Sequence, residues 1–93
     1  MVLVIDSLGG NCPVQAEGTI AGKPFYFRAR DQHWSIGIGG DPVLAPEWYR
    51  EQGFGDSEFA AGWMEEDQAR RFIEQCAADF ETGKPGRTRE RER

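Results

Sequence analysis

The sequence is short of the residues that build catalytic and metal centres. It has one histidine, His33, and two cysteines, Cys12 and Cys76, far apart and without CxxC spacing or a neighbouring His cluster. A metal site is therefore not expected, and neither is a cofactor. Neither GxGxxG nor GK[ST] spacing occurs, so the run Gly37-Ile38-Gly39-Gly40-Asp41-Pro42 reads as a chain reversal rather than a phosphate loop. No apolar run approaches the roughly 20 residues of a membrane helix. Met1 leads into Val-Leu-Val-Ile-Asp without a basic segment or a small-residue cleavage site. The expectation is a reduced, soluble, cytoplasmic protein that meets no membrane. At 93 residues and 10.5 kDa the chain is also too short for a TIM barrel or a full dinucleotide-binding fold.

What is present is enough for one small core, with 39% hydrophobic and 12% aromatic residues. The net charge of -5 is unevenly spread. Residues 1–40 are neutral, residues 41–83 carry eleven acids against Arg50, Arg70 and Arg71 for a net of -8, and residues 84–93 carry +3. A domain over 1–83 with a disordered basic tail over 84–93 is the expected organisation, because the tail has no apolar residue. Its acidic half repels nucleic acid and favours basic partners.

Along the chain, Val2 to Ile5 is a short apolar run that fits a buried or edge strand. Val14, Ala16, Gly18 and Ile20 alternate with Gln15, Glu17 and Thr19; after Ala21-Gly22-Lys23, Phe25, Phe27 and Ala29 alternate with Tyr26, Arg28 and Arg30. That is a β-hairpin, with Glu17 near Arg28 across it. Asp31-Gln32-His33 links it to a third alternating run, Trp34, Ile36 and Ile38, and places His33 in a turn. Ala69, Phe72, Ile73, Cys76, Ala77 and Phe80 recur at helical spacing, predicting a helix over about 65–81 that buries Cys76 as a free thiol. Glu65, Glu66 and Asp67 suit its first turn and Gly83 its end. Between Asp41 and Trp63 no regular pattern stands out, and Pro46 fits the first position of a short helix through Glu51. The expected fold is α+β: a three- or four-stranded antiparallel meander with the C-terminal helix packed on one face.

No catalytic residue is predicted, since His33 and the carboxylates lack a partner base or nucleophile, and no enzyme is expected. The candidate protein-binding set is Glu58, Glu65, Glu66 and Asp67, with Trp48, Tyr49 and Arg50 as the residue types that anchor interfaces. Trp48 and Tyr49 equally suit a lid over the core, the role expected of Phe59 and Trp63. The alternative set is nucleic-acid-binding: Tyr26, Arg28 and Arg30 on the sheet face away from the core, with Arg87 and Arg89 of the tail.

The run Gly9-Gly10-Asn11-Cys12-Pro13-Val14-Gln15-Ala16-Glu17-Gly18, followed by Pro24-Phe25-Tyr26-Phe27-Arg28-Ala29-Arg30, Trp34 and Gly62-Trp63-Met64, resembles a group of small bacterial and phage proteins with no assigned activity. The resemblance implies a phage or mobile-element context. Small acidic proteins there often inhibit nucleic-acid-binding defence machinery, as anti-CRISPR proteins do. The expected function is a non-enzymatic acidic binding module, an inhibitor or adaptor engaging a basic protein such as a nucleic-acid-binding one; the alternative is a weak nucleic-acid binder.

Overall fold

The computed structural model describes residues 3–11, 13–54, 61 and 64–86. Cys12, Glu58, Phe59, Trp63, Arg87 and Arg89 lie outside the described residues. Five antiparallel strands run in sequence order: β1 (Leu3–Gly9), β2 (Val14–Ile20), β3 (Lys23–Arg30), β4 (His33–Ile38) and β5 (Trp48–Gly53). Helix α1 (Glu66–Glu81) follows. The class is α+β as expected, but the meander has five strands rather than three or four.

The alternation in β2 and β3 sets the sheet's two faces. Val14, Ala16, Ile20, Phe25, Phe27 and Ala29 are buried on the inner face, and β4 adds Trp34, Ile36 and Ile38. Ala21 and Gly22 form the two-residue turn, both at positive φ (52° and 80°), the geometry that matches the twist of a hairpin. This register puts Glu17 opposite Tyr26 and Arg28 opposite Gln15, so Glu17 and Arg28 are diagonal. His33 is not a turn residue: it pairs with Arg30 and opens β4, because Asp31, at φ 58°, and Gln32 suffice to reverse the chain. Gly18 is required by packing, since a Cβ there would run into the Val4 carbonyl of β1 and reach 2.9 Å from the Phe25 ring.

β5 lies where a short helix was expected. Its inner face carries Trp48, Arg50 and Gln52, and an inward-facing arginine hides the two-residue period. The unpaired edge of β4 decides the matter: Ile38 pairs with Trp48, Ile36 with Arg50 and Trp34 with Gln52. The connecting loop is tightly built. Asp41 Oδ1 accepts the amides of Val43 and Leu44, each at 3.0 Å, and Ala45 N–H donates to the Asp41 carbonyl at 2.8 Å. Pro42 and Pro46 sit over Gly37.

α1 covers the inner face through the predicted stripe. Trp34 stacks between Phe27 (5.7 Å) and Phe72 (4.8 Å), while Ala69, Ile73, Cys76 and Ala77 are buried. Glu65 caps the helix in a capping box: its side chain accepts the Gln68 amide, and its own amide donates to Gln68 Oε1 at 3.0 Å. At the other end Gly83, at φ 81°, lets Gly83 N–H return to Phe80 O and Lys84 N–H to Asp79 O, a Schellman closure. Lys84, Pro85 and Gly86, the start of the segment expected to be disordered, then lie against β5.

Candidate binding surfaces

Because α1 buries one side, its charged residues other than Asp79 face outward. Glu65, Glu66, Asp67, Glu74 and Glu81 are all exposed, with Arg70 and Arg71 between them. Glu66 and Asp67 occupy the first turn, where the helix dipole favours carboxylates. Glu47 pairs with Lys23 at 3.1 Å, Glu51 meets His33 Nε2 at 3.2 Å, and Asp79 pairs with Arg50 at 2.6 Å. The outward surface of α1 carries five exposed acids against two exposed arginines.

Trp48 and Arg50 are at the other end of the helix, about 20 Å from its first turn at 1.5 Å per residue. Trp48 lies edge-on to Phe80 and donates from Nε1 to the Lys84 carbonyl at 2.9 Å. The Arg50 guanidinium sits 4.8 Å from the centre of the Trp48 ring, donates to Asp79 Oδ2, and has Cys76 Sγ at 3.9 Å. Gln75 Nε2 donates to Asp79 Oδ1 at 3.0 Å. The Arg50 hydrogen bond, helped by Gln75 and Lys84, holds Asp79 below the usual carboxylate range although burial pushes the other way. Burial drives the Cys76 thiol up to about 11, partly opposed by Arg50, so it is a neutral thiol at pH 7. This polar cluster ties β5, α1 and the C-terminal segment together. Sequence reasoning passed over Asp79; its one signal is position, an acid immediately before Phe80 and three residues after Cys76 on the helix's core side.

Tyr49 lies on the opposite face, its hydroxyl 3.3 Å from Glu51 Oε1. The candidate protein-binding residues among those described are therefore not brought together: the structure divides them between the helix start, the Arg50–Asp79 cluster and the outer sheet face. On that outer face Tyr26 Oη donates to Gln15 Oε1 at 2.7 Å, and Arg28 and Arg30 stand two residues apart on β3. With Asp31, His33 and Ser35 they line a depression of about 240 Å³. Asp31, His33 and Ser35 had no sequence signal as a group; the β3–β4 register places them beside the arginines. Among the described residues, no three His, Cys, Asp or Glu are arranged to hold a metal ion, and no helix is long and apolar enough to cross a membrane.

No protein-family model matches the chain, and neither a curated protein nor a solved structure matches it.

Proposed function

We propose that the protein is a non-enzymatic binding module that presents the outward face of α1 to a basic protein partner, as an inhibitor or adaptor would. The observation that carries this reading is the set of five exposed carboxylates at Glu65, Glu66, Asp67, Glu74 and Glu81, outnumbering Arg70 and Arg71, on a helix whose other side is locked into the core. A rigid element fixes the spacing of the charges and removes part of the ordering cost of association. Charge of one sign steers an opposite surface into contact and makes the encounter sensitive to salt.

The test is affinity capture from host lysate at low and moderate salt, comparing wild type with the triple variant Glu66→Gln, Asp67→Asn, Glu74→Gln. Glu65 is left in place to keep the capping box intact. A basic protein retained by wild type, weakened by salt and lost with the variant supports the reading. Equal retention by a folded variant, with the same salt dependence, refutes it. Recovery of nucleic acid in place of protein would move the function to the outer sheet face.

A further inference from the structure

The depression at the β3–β4 end of the sheet lies on the face opposite α1, so it belongs to neither the acidic surface nor the Arg50–Asp79 cluster. Two cross-strand pairs build it: Arg28 opposite Ser35, and Arg30 opposite His33, with Asp31 closing the end. Among the described residues neither Arg28 nor Arg30 forms an ion pair. Arg28 is half-buried, and its Nε–H is shielded from solvent with no acceptor. Buried guanidinium donors are normally satisfied, so this conformer leaves a donor for which an incoming oxyanion can supply the acceptor once the guanidinium turns toward it. Ser35 adds a hydroxyl donor.

We infer that this depression binds a phosphate group. Two guanidinium forks and a hydroxyl offer more donors than a planar carboxylate has oxygens, whereas a tetrahedral phosphate presents acceptors in several directions. The volume of about 240 Å³ holds a phosphate and a few attached atoms, and falls below the roughly 300 Å³ at which drug-sized pockets begin. The nearby acids limit affinity. Asp31 lines the site, and Glu51, opposite Ser35, is engaged by His33 Nε2 and Tyr49 Oη.

The test is a two-dimensional amide NMR titration of the full chain with sodium phosphate, ionic strength held constant with sodium chloride. A parallel titration uses adenosine monophosphate. Saturable shifts at Arg28, Arg30 and Ser35, and at the Arg28 Nε–H, are the expected result. Arg28→Gln should weaken binding at least about tenfold, the loss of one charge-assisted contact. Should that variant unfold, Arg30→Gln and Ser35→Ala, both outside the core, carry the same comparison. Equal affinity for the two probes assigns the site to the phosphate alone, and tighter binding of the nucleotide assigns it to an organic phosphate. Shifts that do not saturate, or that persist unchanged in the folded variants, overturn the inference. The experiment needs no protein partner, so its outcome is separate from that of the capture experiment on α1.

Discussion

Removing one side of the Arg50–Asp79 pair should be among the most damaging polar substitutions in this protein. The two side chains are 13% and 11% exposed and meet at 2.6 Å, and each makes a second contact, Arg50 over Trp48 and Asp79 with Gln75. Stranding one member of a fully buried pair costs about 3–5 kcal/mol. Some water reaches this one, so about 2–3 kcal/mol is the reasoned cost of Arg50→Met or Asp79→Asn, from a total of roughly 4–12 kcal/mol for a domain of this size. That is a fall in Tm of roughly 10–20 °C. Replacing both, as Arg50→Met with Asp79→Leu, leaves no orphaned charge and should recover much of the loss. Urea unfolding of wild type, Arg50→Met, Asp79→Leu and the double variant closes a double-mutant cycle that measures this directly, with Asp79→Asn as a further single-site comparison. The pH dependence adds a second arm. Asp79 ionises at lower pH in the folded chain than in the unfolded one, so its contribution is complete above the unfolded carboxylate pKa near 4 and is lost as pH falls through the folded value. Wild type should therefore lose its advantage over Asp79→Asn on acidification below about pH 4. A single-variant cost under about 0.5 kcal/mol at neutral pH, or a constant gap between the two proteins down to acid pH, would show that the pair is not a structural tie.

Other outcomes follow from the packing. Gly18→Ala should cost about 1–3 kcal/mol and loosen β1, read as faster amide exchange in Leu3–Gly9, because a Cβ at this position meets the Val4 backbone and the Phe25 ring. In a Cys12→Ser background, Cys76 should resist a thiol reagent at pH 7 until denaturant opens the domain, since it is buried and its thiol is shifted to about 11; rapid labelling of the native protein would contradict this burial. The same shift makes folding stability fall as pH rises from about 9 toward 11, because the unfolded thiol ionises first. Val43→Ser and Leu44→Ser should each change stability by less than about 0.5 kcal/mol, as these side chains are 62% and 83% exposed at the tip of a loop held by Asp41 and two prolines.

The sequence by itself determined the elements whose pattern repeats on one side. The two-residue period of β2, β3 and β4 and the three-and-four spacing from Ala69 to Phe80 each specify an apolar face, and burial of those faces against one another follows from the hydrophobic effect alone. The exposed acids of α1 were legible for the same reason, as the complement of its buried stripe. Tertiary structure alone decided β5, where the open edge of β4 outweighed a weak helical signal and an inward Arg50 broke the expected alternation. It decided the partner of that arginine too, since Asp79 is 29 residues away and reads locally as one more surface acid. The depression beside Arg28 and Arg30 exists only through the register that sets Ser35 and His33 across from them. Local periodicity records which side of a strand or helix meets the core; which strands become neighbours, and so which polar side chains face each other, depends on pairings that no short window of sequence contains.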